Sequence, residues 1–567
     1  MSYVIGPGCS TCHYCYNECP VHAIGFVGTQ YAIDPKKCID CGTCAKVCPS
    51  GIITNPDEQN EAPKHDVITK ECDAVILGGG GAGLIAAVHL AQLSGKKVIV
   101  LEKAKKPGGN TNLGHNFMLR YSKLHEAAGY PDPREEFIES VYQGSEGKLS
   151  RPLLARATYA VSEAFDWLYD STDLPNYIEL KTTDTLPGDM EWIGEAYVDF
   201  PNRSFDNLKS TDHSMGPGWM GTFIIRQMLE KCKELGVEVL TEHQAARLLV
   251  DEKGEFTAVL ARDPGGVTRV NAKCCLIASG GFARNREVLE KILPSFYEGQ
   301  PVHTFSVAAN TGDAIGMVQE VGGDIDFENV KIPMMGPVHH PYHFGVVRLS
   351  GGPELINVNM NGKRFRNEGP SPHSLVGPLE SQPGKVCYAI GDAAIIEKLG
   401  QQLIEGAGND PAMKHCMSSW REQLEEECTY DKAAKKADTI EELAVAIGID
   451  PGVLKEEVKQ YNSFCSQGLD SDFGKDSSFL MPITKPPYYA LYLIRFNEGA
   501  EGGIVNNDHL QVVRPDGTAF TGLYTAGDCC RGLLKRDDKG GKFGEMAWAV
   551  ASGYMAAEEM ADVITED

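Results

Sequence analysis

Residues 73–90, DAVILGGGGAGLIAAVHL, decide the fold of the main body of this 567-residue chain. Residues 73–77, DAVIL, predict a buried strand, the glycines that follow predict a turn, and residues 84–93 predict a helix whose small side chains face the sheet. A second apolar run, 98–101, predicts the next strand, parallel to the first. The main body therefore opens with a β-α-β unit.

The turn of this unit carries three glycines with the spacing GxGxxG, namely Gly78, Gly80 and Gly83. Glycines in this setting permit a tight turn and let the backbone approach a pyrophosphate at the helix N-terminus, where Gly81 and Ala82 lie. Glu102 follows the next predicted strand and can accept hydrogen bonds from a ribose. The pattern predicts a dinucleotide site.

Two further segments indicate which dinucleotide binds. Residues 107–111, PGGNT, follow Glu102 by a few positions, and residues 522–528, GLYTAGD, predict a late strand that ends at Asp528. The Asp528 carboxylate can bind a ribityl hydroxyl, so a site divided between the two ends of the body indicates FAD and not NAD. The sequence has no second GxGxxG in a β-α-β setting, and a pyridine nucleotide therefore has no evident site.

Eight of the 18 cysteines fall in the first 48 residues, in two runs of the form CxxCxxCxxxCP. Both runs match the pattern of bacterial ferredoxins with two clusters, in which the fourth thiolate of each run binds the other cluster. One [4Fe–4S] cluster is assigned to Cys9, Cys12, Cys15 and Cys48. The other is assigned to Cys38, Cys41, Cys44 and Cys19. Zinc sites and disulfides are alternatives, but they fit two complete runs without an export signal less well.

Composition limits the functions that the chain can have. The net charge of −25 argues against sequence-independent binding to nucleic acid or to an anionic membrane. The most apolar long stretch, residues 74–91, contains glycines and a histidine, so we expect no membrane span. The N-terminal residues show no export signal, and a cytoplasmic location is expected.

We expect an α/β protein built from several segments. A small α+β two-cluster ferredoxin domain, 1–54, precedes a polar linker, 55–71. A Rossmann-like FAD-binding domain, 72–335 and 498–567, is interrupted by an inserted α+β capping domain, 336–497.

Local signals predict several elements within these domains. Thr439 and Glu442 form a capping box at the start of one helix, and Asp450 with Pro451 marks the start of another. Residues 236–261 predict a β-meander that returns to the main sheet.

Taken together, these motifs resemble the FAD-binding 2 family, the flavoprotein group of fumarate reductases, succinate dehydrogenases, urocanate reductases and 3-ketosteroid dehydrogenases. The resemblance covers roughly residues 72–567. It rests on the segments GGGGAGLIAA (78–87), LEKAKKPGGNT (101–111), ASGGF (278–282), NTGD (310–313), NGKRFRNE (361–368), DTIEELAVAIGIDPGVLKEEVKQYN (438–462) and LYTAGD (523–528).

The resemblance implies that the FAD isoalloxazine lies between the flavin domain and a mobile cap, and that reduced flavin gives hydride to an activated C=C bond. An attached redox module feeds the flavin in such proteins, and the two-cluster ferredoxin looks like that module. Asn110 stands where membrane-bound members carry the histidine that attaches FAD, so we expect non-covalent FAD. The resemblance adds these cofactor-binding candidates: Lys103, Gly108, Gly109, Asn110, Thr111, Asn112, Gly114, Ala245, Ala278, Gly280, Asp313, Glu545 and Met546.

The chain departs from soluble fumarate reductases at three places within this resemblance. Their proton-donating arginine, four residues after the glutamate of GKRFxNE, is replaced by Pro372. Their HHTMGG motif is EGAEGG here (498–503), without either histidine, and the arginine of their late loop has no clear counterpart in residues 531–540. We therefore expect fumarate to be a poor substrate.

Reduction of an enone or an enoate requires a group that stabilises charge on the carbonyl oxygen and an acid that protonates the α-carbon. We expect Arg495 or Arg531 to stabilise the charge, and the cap to supply the acid. The cap candidates are His339, His340, Tyr342, Arg348 and His373. Arg364 and Arg366 are expected to serve structure, since the family's motif pairs them with Glu368 near the domain junction.

The leading hypothesis is a reductase of a small unsaturated organic substrate, supplied with electrons by an external low-potential donor such as a ferredoxin, a flavodoxin or a dehydrogenase subunit. One alternative is an electron-transfer subunit of a larger redox complex, in which no small substrate binds. Another is a flavin dehydrogenase that works in the oxidative direction. The intact cap segment favours an enzyme, because a relay needs no lid that excludes water. A homo-oligomer is compatible with each of these three hypotheses.

Overall fold

The computed structural model gives the fold of most of the chain. It describes residues 3–6, 15, 19–21, 23–27, 30–48, 53–55, 67–114, 119–145, 149–176, 178–182, 196–199, 220–294, 302–304, 306–331, 334–339, 344–369, 376–406, 417–430, 432–497, 499–533 and 545–565.

A six-stranded sheet forms the centre of the main body. Its strands lie in the order Glu238–Leu240, Val98–Leu101, Ala74–Leu77, Cys274–Ile277, Ala519–Thr525 and Gln511–Val513. The first five are parallel, and the last runs antiparallel to its neighbour. Every residue of the three strands at 74–77, 98–101 and 274–277 is buried, as expected of a parallel sheet covered on both faces. The predicted β-α-β unit is thus confirmed.

Helices cover one face of this sheet. The helices around this core are Gly81–Ser94, Arg134–Gly144, Arg151–Ser171, Met220–Leu235 and Glu545–Thr565, with the shorter Lys123–Ala127 nearby in sequence. Helices Gly81–Ser94 and Glu545–Thr565 pack very closely. A Cβ added to Gly553 would lie only 2.3 Å from the carbonyl oxygen of Ala82. Small side chains on both helices allow this approach.

A second sheet covers the opposite face. Its strands lie in the order Gln244–Val250, Phe256–Asp263, Gly266–Asn271 and Val67–Glu71, and the helices Asp313–Glu320 and Arg286–Ile292 follow later in the chain. The predicted meander is therefore present, but it forms this separate sheet; of residues 236–261 only strand Glu238–Leu240 joins the main sheet. Val67–Glu71 belongs to the segment predicted as a linker, yet it pairs in parallel with Gly266–Asn271. The strand lies at a sheet edge and stays largely exposed, so the sequence carries no apolar alternation to reveal it.

The cap is built around one long strand, Tyr488–Asn497. On one side it pairs with Cys387–Asp392, which in turn pairs with Ile356–Asn359. Ala434–Ala437, Met334–His339 and Val302–Thr304 also pair with the long strand. The cap helices are Phe344–Ser350, Val376–Glu380, Ala393–Gly406, Trp420–Glu427, Ile440–Ala446 and Pro451–Gln467. The boundaries 336 and 497 stay predictions, although the sheet also includes Val302–Thr304 from outside them.

The predicted helix starts in the cap are confirmed. The Thr439 hydroxyl accepts from the backbone N–H of Glu442, whose carboxylate accepts from the backbone N–H of Thr439, and together they form the capping box. The Asp450 carboxylate accepts from the backbone N–H of Val453 at 2.9 Å.

The N-terminal segment has its own small α+β core. Val4–Ile5 pairs with Ile53–Thr54, Ile24–Val27 pairs with Gln30–Ile33, and Thr43–Val47 is a short helix. Cysteines 15, 19 and 44 are buried in this core together with apolar residues.

Two further pairs of strands lie outside the sheets described above. They are Ile325–Lys331 with Glu501–Ile504 and Glu179–Thr182 with Ala196–Asp199. Within the described ranges, none of the helices has the length and apolar character needed to cross a membrane.

Candidate cofactor sites and active-site elements

A cavity of about 810 Å³ lies at the carboxyl ends of the central strands. Parallel α/β sheets bind their ligands at this edge. Its walls come from the glycine turn, the end of strand Val98–Leu101, the end of strand Cys274–Ile277, residues 307–313 and residues 527–528. The predicted cofactor residues that line it are Gly78, Gly80, Gly81, Ala82, Glu102, Lys103, Gly109, Asn110, Thr111, Ala245, Ala278, Gly280, Asp313 and Asp528.

The three glycines of the turn have different physical roles. Gly78 has φ +109°, and a Cβ on it would lie 2.3 Å from the carbonyl oxygen of Ala278. A Cβ on Gly83 would lie 2.0 Å from the carbonyl oxygen of Gly78. Gly80 differs, because its Cβ would meet only the carbonyl oxygen of Gly108, at 3.8 Å, and would occupy the cavity. Two glycines are needed by the fold, and Gly80 leaves room for a pyrophosphate.

Glu102 is fixed at the cavity wall by the backbone. It is 7% exposed, its Oε2 accepts from the N–H of Gly79 at 2.8 Å, and its Oε1 accepts from the N–H of Ala104 at 2.7 Å. Burial raises the pKa of Glu102, and the two backbone hydrogen bonds oppose that shift. Each carboxylate oxygen keeps a lone pair that can accept from a ribose hydroxyl.

A polar cluster closes another part of the cavity. The Lys103 ammonium donates to Thr311 Oγ1 at 2.6 Å and to Asp313 Oδ2 at 2.9 Å, and Gln244 donates to the same carboxylate oxygen at 2.9 Å. Burial opposes ionisation of Asp313, but the Lys103 charge and these hydrogen bonds hold its pKa below the usual range. The cluster links the end of strand Val98–Leu101 to the start of helix Asp313–Glu320.

Asn110 is anchored within the wall. Its Oδ1 accepts from Ser306 Oγ and from the backbone N–H of Val307, both at 2.9 Å. Its neighbour Thr111 accepts from the N–H of Gly81 at 3.0 Å. The resemblance implies that FAD is attached covalently at this position in membrane-bound members of the family. Here the position is Asn110, whose side-chain amide links two walls of the cavity.

Other predicted cofactor residues do not line this cavity: Gly83, Gly108, Asn112, Gly114, Glu545 and Met546. Asn112 is buried and donates to the carbonyl oxygen of Pro107 at 3.3 Å. A Cβ on Gly114 would lie 3.0 Å from the sulfur of Met546, while Glu545 is exposed at the start of helix Glu545–Thr565. Their assignment to the cofactor stays a prediction.

Several lining residues were missed by sequence reasoning. Ser279 lies between the predicted Ala278 and Gly280, and its buried hydroxyl lies beside the Cys529 thiol. His243, Gln244, Val307, Ala309 and Asn310 also line the cavity. The glycine cradle, the Glu102 carboxylate and the position at the strand ends fit FAD.

A second, smaller cavity of about 300 Å³ lies in the N-terminal segment. It is lined by Cys19, Cys38, Cys41 and Cys44, together with apolar residues such as Ile24. Burial and the nearby thiolates of the other three cysteines raise the pKa of Cys44, although a backbone hydrogen bond opposes the shift. These four cysteines are the set assigned to one cluster. Cys9 and Cys12 lie outside the described residues, whereas Cys15 is buried and Cys48 half-buried.

The structure describes only some of the catalytic candidates. His340, Tyr342 and His373 lie outside the described residues, and His339 ends strand Met334–His339. Arg348 is exposed on helix Phe344–Ser350. Arg495 is 1% exposed, with its Nη1 3.6 Å from Glu380 Oε1, and Arg531 Nε is 3.1 Å from Asp326 Oδ2. Each of these two arginines therefore has an acidic residue as its ion-pair partner.

Comparison with known proteins identifies the two cofactor regions independently. A family model described as an FAD-binding domain matches residues 73–542, and a model of a 4Fe–4S dicluster domain matches residues 8–52. A solved flavocytochrome c3 fumarate reductase in an open conformation shares the fold, with a TM-score of 0.65 and 20% identity over 88% of this chain and 79% of that one.

Curated relatives are named as reductases of unsaturated compounds. The vinyl phenol reductase of Lactiplantibacillus plantarum is 24% identical over 83% of this chain and 91% of its own length. The NADH:fumarate oxidoreductase of Klebsiella pneumoniae is 23% identical over 88% of this chain, which spans only 48% of that longer protein. Other relatives are named for the reduction of urocanate, acrylate and digoxin.

Proposed function

The chain belongs to the FAD-binding family of flavoproteins, and from this premise we propose that it reduces an activated C=C bond of an enone or an enoate. Electrons would pass from an external low-potential donor, a ferredoxin, a flavodoxin or a dehydrogenase subunit, through two [4Fe–4S] clusters to FAD and then to the substrate. The names of the relatives support this class of reaction, because several of them reduce C=C bonds.

The observation that carries the proposal is the cavity at the strand ends. Gly80 leaves it open where a pyrophosphate would lie, and Glu102 presents a carboxylate fixed by two backbone hydrogen bonds. When bound, FAD supplies the hydride for reduction of the C=C bond. The Asn110 side-chain oxygen accepts from Ser306 and from the backbone N–H of Val307, and Asn110 and Val307 line the cavity in which non-covalent FAD would bind.

The cysteine runs and the family match support an iron–sulfur assignment. The cysteines that line the cavity come from both CxxCxxCxxxCP runs, and the matching family model is that of a 4Fe–4S dicluster domain. We propose that Cys19, Cys38, Cys41 and Cys44 hold one cubane cluster, and that Cys9, Cys12, Cys15 and Cys48 hold the other.

The proton donor is proposed to come from the cap, among His339, His340, Tyr342, Arg348 and His373. Of the two stabilising candidates we favour Arg495, because it is buried in the cap sheet, where a charge is screened weakly. Arg531 is half-buried beside Asp326. Fumarate is proposed to be a poor substrate, since Gly499 and Pro372 offer neither a cation nor an imidazole for a second carboxylate.

The proposal is tested by anaerobic oxidation of reduced methyl viologen with the purified, cofactor-loaded chain. The acceptors are enones, unsaturated monocarboxylates and fumarate. We expect at least one enone or monocarboxylate to be reduced faster than fumarate. If fumarate is reduced faster than every other acceptor, the proposal that fumarate is a poor substrate is wrong. If the dye reduces the flavin but no acceptor reoxidises it, an electron-transfer subunit is favoured. Oxidation of saturated acids or ketones at a higher rate than any reduction would favour a dehydrogenase.

A further inference from the structure

The first part of helix Glu545–Thr565 lies against the wall of the cofactor cavity. Ala549 lines the cavity itself. Ser552, three residues later on the same helix, is fully buried and does not line it. Ser552 can therefore affect a bound cofactor only through the wall residues that it contacts.

Ser552 contacts the wall at Gly527, the residue before Asp528. Its hydroxyl accepts from the backbone N–H of Gly527 at 2.9 Å and donates to the carbonyl oxygen of Trp548 at 2.6 Å. The indole Nε1 of Trp548 donates to the carbonyl oxygen of Gly527 at 3.3 Å. That carbonyl oxygen also accepts from the backbone N–H of Cys530 at 3.1 Å. Side chains of one helix thus bind both polar backbone groups of Gly527.

Gly527 depends on such hydrogen bonds for its conformation. Its φ is +70°, and a residue without a side chain populates many backbone conformations when nothing holds it. A side chain could not make this position more rigid, because a Cβ would lie 3.1 Å from the Cβ of Ala82. Gly527 is buried, so its N–H would lack an acceptor without the Ser552 hydroxyl.

The next residue of the helix contacts the other part of the site. A Cβ on Gly553 would lie 2.3 Å from the carbonyl oxygen of Ala82, at the start of helix Gly81–Ser94. Ala82 and Asp528 both line the cavity. Successive residues of one helix therefore hold the glycine turn, where the pyrophosphate is expected, and the peptide next to Asp528, where a ribityl hydroxyl is expected.

We propose that Ser552 is a positioning residue of the FAD site. It holds the Gly527 peptide so that the Asp528 carboxylate meets the ribityl chain, and Trp548 assists through the carbonyl oxygen of Gly527. Ligand-binding groups must be held within about 0.5 Å of their productive positions, which a freely rotating glycine would not achieve. This inference rests on the part of the proposed function that assigns the cavity to FAD, and not on the reaction.

The test compares FAD with ADP, which has the pyrophosphate but no ribityl chain. The full chain, freed of flavin, is titrated with FAD by fluorescence and with ADP by calorimetry. Ser552→Ala should weaken FAD binding by about 10-fold and leave ADP binding within about twofold. Trp548→Phe should weaken FAD binding by about 2- to 10-fold, and it provides the same comparison if Ser552→Ala does not fold.

A double-mutant cycle with Asp528→Ala tests whether Ser552 acts through Asp528. Asp528→Ala should weaken FAD binding, and adding Ser552→Ala to it should weaken binding by no more than about twofold further. The cycle decides the question even if ADP binds too weakly to measure. The proposal is wrong if Asp528→Ala or Ser552→Ala keeps the parent affinity for FAD. It is also wrong if Ser552→Ala has its full effect without Asp528, or weakens ADP as much as FAD.

Thr158→Ala is the matched control. Thr158 is a buried helical hydroxyl that donates to the carbonyl oxygen of Leu154 at 2.8 Å and does not line the cavity. It should keep the parent affinity for both ligands; an equal loss of FAD affinity would show that any buried helical hydroxyl matters, against the proposal. No acceptor is present in these titrations, so their outcome and that of the dye assay for the proposed reaction are independent.

Discussion

His89 shows at the scale of one residue how burial sets a pH limit on stability. It lies in helix Gly81–Ser94, stacks on Tyr554 at 4.0 Å between ring centroids, and meets Trp167 edge-on at 5.3 Å. Neither ring nitrogen has a hydrogen-bond partner among the described residues. Burial lowers the pKa of His89 from 6.5 to about 4.

The pH dependence of unfolding should follow from this shift. Between pH 6.5 and about 4 the unfolded chain protonates His89 while the folded chain keeps it neutral, so acidification favours unfolding. His89→Phe keeps the aromatic contacts and removes this proton uptake. We expect it to reduce the loss of unfolding free energy over that range by about 1–3 kcal/mol, as measured in urea at several pH values. His509→Gln, at a largely exposed histidine, is the control; equal pH slopes in the parent protein and His89→Phe would refute the prediction.

The start of helix Gly81–Ser94 combines a folding requirement with a ligand requirement at neighbouring positions. Gly83→Ala would place a methyl group 2.0 Å from the carbonyl oxygen of Gly78, and we expect it to lower the free energy of unfolding by about 1–3 kcal/mol. Gly80→Ala meets only an oxygen at 3.8 Å, has an ordinary φ of −83°, and should melt like the parent apoprotein.

The same Gly80→Ala methyl group enters the cavity, so it should weaken FAD binding by about 10-fold or more, as measured by titration of apoprotein with FAD. The two alanine variants therefore form a matched pair, one defective in folding and one in binding. Normal FAD affinity in a well-folded Gly80→Ala protein would show that the pyrophosphate lies elsewhere.

Asp392 fixes one cap helix to a distant loop. It is fully buried, and its carboxylate accepts from the N–H groups of Ala394 and Ile395 at the start of helix Ala393–Gly406, both at 3.0 Å. It also accepts from the N–H groups of Thr484 and Lys485, both at 2.7 Å. One side chain thus satisfies backbone donors of two elements.

Asp392→Ala leaves these four donors without their acceptor inside the cap. We expect the free energy of unfolding to fall by about 2–4 kcal/mol, with faster hydrogen exchange at the start of helix Ala393–Gly406. Asp450→Ala removes an exposed helix cap with one such bond and should cost about 1 kcal/mol. A smaller loss for Asp392→Ala than for Asp450→Ala would contradict this account.

At the scale of the whole molecule, the proposed electron path needs both cofactor regions. The chain combines a segment that matches a 4Fe–4S dicluster domain with a body that matches an FAD-binding domain. We expect about eight irons and eight acid-labile sulfides per chain after anaerobic reconstitution, and FAD that acid or heat releases. Zinc in place of iron, or flavin that stays with the denatured protein, would contradict these expectations.

The crossed ligand set gives a sharper test. Cys19 belongs to the first cysteine run but lines a cavity with Cys38, Cys41 and Cys44 of the second. Cys19→Ser should therefore remove or alter the second-run cluster, lowering the iron content to about four per chain or changing the electron paramagnetic resonance signal. Cys232→Ser, at a buried cysteine of helix Met220–Leu235, should keep the full iron content.

Spacing along the chain determined much of this protein. The glycine turn, Glu102, the cysteine runs and the caps at Thr439 and Asp450 each depend on residues a few positions apart, or on a β-α-β unit whose geometry is nearly fixed. Such short-range patterns predict the local structure without knowledge of the rest of the fold. The edge strand Val67–Glu71 escaped prediction, because its partner Gly266–Asn271 is distant in sequence and its side chains are mostly exposed.

Tertiary structure alone distinguished Arg364 from Arg366. Both belong to NGKRFRNE and are equivalent by type and neighbourhood in the sequence. Arg364 is compensated because the chain returns more than 100 residues later to place Asp470 beside it, and Lys475 joins the same group. Arg366 receives no such partner within the described residues, since ion pairs depend on distances in space that spacing along the chain does not encode. Ser279 lines the cavity for a similar reason, because the preceding strand Cys274–Ile277 pairs with Ala519–Thr525, which is distant in sequence.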